Sequence, residues 1–453
     1  MKPNRANTRL SKIPAILAGA GWIAALALTV GLCLTLTADA QARTKNKPAV
    51  ASRVTKIVRH TKKNIRVAAK IAEPATSMEP VTVAEPAVSK AQAQQLSRAE
   101  IFETNPDRLE RVGRHLIAGF QNFSEVKALV LKRAIAGIFI TGHNVRNRSA
   151  RDIKADIEAL QAIRVEQGLP PLIVAADQEG GAVSRLSPPL KKQMSLGRLL
   201  ADLKHDDERR KAVEAYAEAQ AEELKRIGVT LNFAPVVDLK LNPSNRDDGE
   251  TRLRLRAIAA DPYLVAKVAG WYCDKVAAAG IMCTLKHFPG LGRVARDTHV
   301  SSGEISATAG QLELNDWVPF RNVMAKPNAA VMLGHVRVNV IDKTTPASFS
   351  RPVIHDLIRN QWAYDGLLIT DDFSMGAVTG SKGGIGAAAL NSIDAGVDLV
   401  LVSFAEKHLD EVMSTLIAAD AESSIDRAVT GASNDRIARI IKAASGINEA
   451  KAN

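Results

Sequence analysis

From about residue 98 onward the chain alternates short, unbroken apolar runs with amphipathic stretches, and this alternation limits the possible folds more than any other feature. The runs are His115–Phe120, Gly137–Thr141, Leu172–Asp177, Thr230–Pro235, Met282–His287, Ala330–His335, Leu367–Asp371 and Asp398–Ser403. A run without polar alternation reads as a strand buried on both faces, as in a parallel sheet covered by helices. Between the runs lie helical patterns such as Ala212–Ile227, ended by Gly228, and Tyr263–Ala279, ended by Gly280. A glycine there supplies the left-handed residue that closes a helix. Eight such units predict an α/β fold with a single (β/α)8 TIM-type barrel, because eight tilted parallel strands close on themselves and leave no edge. The link from Phe288 to Asn328 is long enough to hold a functional loop ahead of its helix.

In such a barrel, chemistry gathers at the C-terminal ends of the strands. The polar residues follow that rule: Asp177 closes the third run, Lys286 and His287 the fifth, His335 the sixth, and Asp371 with Asp372 the seventh. Charges placed without function would not collect at the same end of so many strands. These positions therefore predict a site.

The N-terminal hundred residues have a different texture. They hold 16 Lys and Arg against 5 Asp and Glu, while the whole chain holds 60 against 48, which leaves 44 against 43 for residues 101–453. The formal net charge of +12 thus describes a basic arm, and the near-neutral body gives no reason to expect a nucleic acid partner. Ile13–Ala38 carries no charge, follows Lys2, Arg5, Arg9 and Lys12, and leads into the small residues Ala38, Ala40 and Ala42. That pattern predicts export to a periplasmic or extracellular location, with residues 1–42 as a signal peptide. The same run is long enough to remain as an inner-membrane anchor through residues 13–38, and the sequence leaves both open. Residues 43–97 are basic and then rich in Ala and Pro, with no sustained period and no aromatic residue. They predict a flexible linker whose residues 43–70 suit an anionic envelope polymer or lipid surface. Of the three cysteines, Cys33 lies in the export segment. Cys273 and Cys283 read as two small buried residues in preference to a bridge.

Four motifs carry the chemistry. They are Asp177-Gln178-Glu179-Gly180-Gly181-Ala182-Val183-Ser184-Arg185, Asn232-Phe233-Ala234-Pro235-Val236-Val237-Asp238, Lys286-His287-Phe288-Pro289-Gly290-Leu291-Gly292 followed by Asp297-Thr298-His299, and Ile369-Thr370-Asp371-Asp372-Phe373-Ser374-Met375. In this order and combination they resemble the family 3 glycoside hydrolases, and within them the single-domain β-N-acetylhexosaminidases. The likeness covers about residues 100–445, so residues 98–453 are expected to form the catalytic barrel.

The resemblance implies retaining hydrolysis of terminal non-reducing N-acetyl-β-D-hexosamine residues, in peptidoglycan fragments or chitin-type oligosaccharides. It implies that Asp371 is the nucleophile, which would form a glycosyl-aspartate intermediate. It also implies that His299 is the acid/base, with Asp297 as its partner, and that Asp177, Arg185, Arg256, Lys286 and His287 hold the sugar. Asp372 is expected to turn inward and brace the loop, although the residues alone do not forbid exchanging its role with Asp371. The amino-sugar oligosaccharide is the expected substrate, and no metal or cofactor is expected.

Three departures stand out. Arg256 sits in Arg256-Ala257-Ile258, where relatives read R-S-F or R-S-Y, so Arg252 and Arg254 compete for its role. Leu291 stands where many relatives have His, and Val336-Arg337-Val338-Asn339 lacks the usual proline. Gly384-Ile385-Gly386-Ala387-Ala388-Ala389 fits a loose dinucleotide pattern but follows a turn instead of a strand, and reads as a helix start. From another class, an inactive barrel that binds sugars or cell wall is the alternative. Such a binder needs none of Asp371, Asp297 and His299.

Overall fold

Every one of the eight apolar runs becomes a strand: β1 Leu116–Gly119, β2 Gly137–Ile140, β3 Ile173–Ala176, β4 Leu231–Asn232, β5 Met282–Phe288, β6 Ala329–Leu333, β7 Leu368–Thr370 and β8 Val400–Val402. The computed structural model describes residues 95–241, 249–326 and 329–444; the export segment and most of the basic linker lie outside the described residues. Neighbouring strands pair in parallel in the order β7-β6-β5-β4-β3-β2-β1-β8. A parallel bridge from Ile369 to Leu399 joins the two ends and closes the barrel. β4 is shorter than the run that announced it: the regular ladder ends at Asn232, where the Ala234 amide turns back to the Asn232 carbonyl at 2.8 Å, and pairing resumes only as a single bridge from Val236 to Lys286.

Each strand feeds a helix that returns along the outside: α1 Phe123–Leu131, α2 Ala150–Glu166, α3 Asp206–Ile227, α4 Pro262–Ala278, α5 Val318–Met324, the π-helical α6 Pro352–Gln361, α7 Gly384–Ala395 and α8 Ala405–Ala421. α3 ends where the sequence stops it, with Gly228 at φ 94°. The dinucleotide-like glycines open α7 after a turn, with Gly383 at φ 94°.

Two apolar clusters share the strands by alternation. Ile117, Phe139, Ile173, Phe233, Met332, Ile369 and Leu401 fill the inside, while the opposite residues pack against the helices. A last helix, Arg427–Ala444, crosses the N-terminal end of the barrel. Its Ile437 joins the inner cluster, and Arg436 pairs with the fully buried Asp398 at 2.9 Å. Among the described residues no helix is long and apolar enough to cross a membrane.

The reading of the cysteines is corrected. Cys273 and Cys283 form a disulfide, with Cα atoms 5.4 Å apart. Along β5 the odd positions Cys283 and Leu285 face the outer helices, and α4, which carries Cys273, packs there. The two residues are small and buried, as expected, but the helix-on-strand packing also brings them together.

Candidate active site

At the C-terminal ends of the strands the barrel opens into a cavity of about 570 Å3. Phe139 and Phe233, with ring centroids 5.5 Å apart, give it an apolar floor together with Met332 and Leu401. Asp177, Arg185, Arg256, Lys286, His287, His299 and Asp371 all line it. Asp297 stands behind His299. Residues spread over 194 positions of chain thus meet in one place, because each follows a strand tip.

β5 shows how the sequence aims them. Lys286 continues the inward series of Met282 and Thr284, and Phe288 is anchored on the outside by Phe320 and Trp362, at centroid distances of 5.2 and 5.6 Å. The Lys286 ammonium lies 2.6 Å from Asp177 and 2.7 Å from Glu179. Arg256 donates to both carboxylate oxygens of Glu179, at 2.9 and 2.7 Å, and to the Thr251 carbonyl at 2.8 Å. Lys286, Glu179 and Arg256 are all buried, and buried charges persist only when paired in this manner. Burial works to raise the Glu179 pKa, but the charges of Arg256 and Lys286 outweigh it and pull it from the usual 4.5 to about 2. Burial likewise opposes the charge on Lys286, yet Asp177 and Glu179 hold its pKa above the ordinary value.

His287 is oriented by Asp238, which accepts from Nδ1 at 2.7 Å. That acceptor places the proton on Nδ1 and leaves Nε2, 3.4 Å from an Arg256 nitrogen, toward the charged cluster. Asp238 also accepts the amides of His287 and Leu291, at 3.1 and 2.6 Å. Leu291 therefore supports the site through its backbone, and its buried side chain lines the cavity.

The paired carboxylates after β7 have opposite environments. Asp371 accepts the Asp372 amide at 2.8 Å and faces the cavity. Burial would raise its pKa, but the nearby His287, His335 and His299 outweigh burial and lower it, which favours the anion. Asp372 also borders the cavity, but its carboxylate is engaged by the Ser374 and Ser403 amides, each at 2.9 Å, and by the Ser403 hydroxyl. Burial pushes its pKa up. His335 braces this tip from below, with Nδ1 2.8 Å from the Ser348 hydroxyl and Nε2 donating to the Asp372 carbonyl at 2.9 Å. Burial lowers its pKa, against the raising effect of Asp371 and Asp372.

His299 is held by its partner two residues earlier. Nδ1 donates to Asp297 at 2.9 Å, and the His299 amide reaches the same oxygen at 2.9 Å. Asp297 also accepts the Thr251 hydroxyl at 2.7 Å and the Glu250 amide at 2.5 Å. Burial opposes ionisation of Asp297, but this ring of donors, led by the His299 amide, holds its pKa well below the carboxylate range. The His299 side chain is 40% exposed, so it can exchange protons with solvent. Its carbonyl accepts the Gly376 amide at 2.9 Å, which ties the Asp-x-His loop to the loop that follows Asp371. Gly376 has to be glycine there, because a Cβ would stand 2.5 Å from the Val300 carbonyl oxygen.

Arg185 is an exposed cation on the cavity wall whose guanidinium has no ion pair among the described residues. Arg252 and Arg254 are exposed and do not line the cavity, so Arg256 is the arginine of that helix that enters it. Sequence reasoning quoted Glu179 and Asp238 inside motifs but gave them no role, and it missed Thr251 altogether. A Glu two residues beyond Asp177 was the available signal, since residues i and i+2 of an extended segment share a side.

Residues 93–439 match the glycosyl hydrolase family 3 N terminal domain. A beta-hexosaminidase of Xanthomonas euvesicatoria pv. vesicatoria (strain 85-10) is 33% identical over 316 residues, covering 70% of this chain and 89% of that protein. Beta-hexosaminidase LpqI of Mycobacterium tuberculosis is 30% identical over 329 residues, covering 71% and 80%. The structure of a glycoside hydrolase family 3 beta-N-acetylglucosaminidase from Paenibacillus sp. str. FPU-7 superposes with a TM-score of 0.69 at 27% identity; the match covers 74% of this chain and 62% of that one. A barrel of this topology, with its ionisable residues gathered at the strand tips and its sequence matched over that span, belongs to glycosyl hydrolase family 3 and is a glycoside hydrolase.

Proposed function

We propose that the protein removes a terminal non-reducing N-acetyl-β-D-hexosamine with retention of configuration. Asp371 attacks the anomeric carbon and the bond to the leaving oxygen breaks, while His299 transfers a proton to that oxygen from Nε2. Water then attacks the sugar–aspartate ester, and His299 takes back a proton as base. Asp297 fixes the tautomer of His299 and steadies its imidazolium. Asp177, Lys286 and Arg185 bind sugar hydroxyls and the acetamido oxygen, while His287 and Arg256 complete that wall.

The observation that carries this reading is the shared cavity. Among the described residues no cationic side chain forms an ion pair with Asp371, and His299, backed by Asp297, lines the same space and acts electrostatically on Asp371. The curated relatives named above, both beta-hexosaminidases, supply the amino sugar. Peptidoglycan fragments and chitin-type oligosaccharides both end in it.

The proposal extends to location. The apolar Ile13–Ala38 run supports export, with cleavage or anchoring to follow, and the Cys273–Cys283 disulfide suits an oxidising compartment. The basic residues 43–70 would then keep the barrel near an anionic polymer or lipid surface.

The test is turnover of p-nitrophenyl N-acetyl-β-D-glucosaminide against the β-glucoside, with a slow 2-fluoro substrate to trap the intermediate. The expected results are strong preference for the amino sugar and an adduct on Asp371. An adduct on Asp372 would exchange their roles, and a folded protein that cleaves neither substrate would leave a sugar-binding barrel.

A further inference from the structure

The mechanism leaves one arc of the cavity wall without a task. Apart from Arg146 after β2, the charged side chains that line the cavity follow β3 to β7, whereas Gln121 follows β1, His143 follows β2 and Phe404 follows β8. β8 adjoins β7 across the closing bridge and β1 on its other side, so this arc starts beside Asp371.

Phe404 stands out in it. Its side chain is 46% exposed, and among the described residues it is the only large exposed apolar side chain that lines the cavity. Its backbone is nevertheless fixed: the amide donates to the Ser374 hydroxyl at 3.0 Å, in the same loop whose Gly376 amide holds the His299 carbonyl. Lys407 lies 5.7 Å from the ring centroid. Gln121 stands alongside, its carboxamide 3.5 Å from Glu406 in the first turn of α8. A pyranose offers one face of C–H groups and a rim of hydroxyls, which complements an aromatic ring flanked by a carboxamide.

We propose that Phe404 is the platform of a leaving-group subsite that takes a second β-linked pyranose, with Gln121 hydrogen-bonding its hydroxyls. The inference rests on the roles of Asp371 and His299 given above. A glycosidic oxygen held between those two residues lies over the loop that anchors Phe404, so the ring attached to that oxygen meets the Phe404 side chain. The hydroxyl-binding side chains after β3 and β5 stand on the other side of the barrel mouth and hold the sugar being removed.

The experiment compares kcat/KM for the β-1,4-linked N-acetylglucosamine disaccharide with that for N-acetyl-β-D-glucosaminyl azide, whose leaving group has no ring. Phe404→Ala should lower the disaccharide-to-azide ratio about tenfold, the scale of one lost aromatic contact. Phe404→Trp should restore it. An unchanged ratio in Phe404→Ala, whether both rates fall together or neither falls, overturns the platform. Wild-type protein that cleaves neither compound overturns the hexosaminidase reading itself, so the two failures are told apart.

Discussion

Replacing Glu179 with glutamine keeps the volume of the side chain and removes the charge that holds Lys286 and Arg256 together. The cost follows from the depressed pKa. A carboxyl whose pKa falls from 4.5 to about 2 on folding, at about 1.4 kcal/mol for each tenfold change in proton affinity, contributes about 3 kcal/mol of stability at neutral pH. Breaking one partner of a buried ion pair gives a similar figure, about 3–5 kcal/mol. Asp177 still neutralises Lys286 at 2.6 Å, which favours the lower end. Urea denaturation at pH 7 should therefore show Glu179→Gln less stable by about 3 kcal/mol, a large part of a typical total of about 5–15 kcal/mol.

The sign of the pH dependence follows as well. Glu179 is a depressed carboxyl, so its contribution is complete above 4.5 and is lost as pH falls through about 2. The gap between wild type and variant should narrow by about 1 kcal/mol between pH 7 and pH 3.5. In activity, loosened sugar-binding cations should raise KM more than they lower kcat. A stability loss under about 1 kcal/mol at pH 7, or a gap that does not change with pH, would refute the view that this cluster is held together by the Glu179 charge.

Gly376→Ala should push the His299 loop aside, since the new Cβ would lie 2.5 Å from the Val300 carbonyl oxygen and 3.0 Å from that of His299; kcat should fall about tenfold or more while far-UV circular dichroism stays unchanged. The double variant Cys273→Ala/Cys283→Ala should lower stability by about 2–3 kcal/mol, the loop-closure value for a short bridge, with thermal denaturation as the measurement. Equal melting curves with and without reductant would show that the bridge does not form in solution.

How far the sequence could be read depended on how local each signal was. The eight strands were legible because an apolar run between helical patterns is a property of consecutive residues, and β1 to β8 coincide with those runs to within a residue or lie inside them. The placement of Asp177, Lys286, His287 and Asp371 came from the same source, since a residue at the end of a barrel strand faces the mouth. The pairing of Asp297 with His299 came from the resemblance, and a spacing of two residues suits it. Arg256 could be named from its motif, but its competition with Arg252 and Arg254 was settled only when the helix Leu253–Arg256 turned one of the three into the cavity.

What the chain order alone determined, then, was the barrel and the list of side chains gathered at one end. Tertiary packing decided how those side chains hold one another: the Glu179–Arg256 pair joins residues 77 apart, Lys286 reaches Asp177 across 109 positions, and Gly376 clasps His299 from the far side of two strands. It also decided that two cysteines ten residues apart would be bridged, because α4 packs on the outer face of β5. Such contacts depend on how strands lie around a closed sheet. No local period records that, since backbone pattern sets which way a residue points while only the assembled barrel sets what it meets.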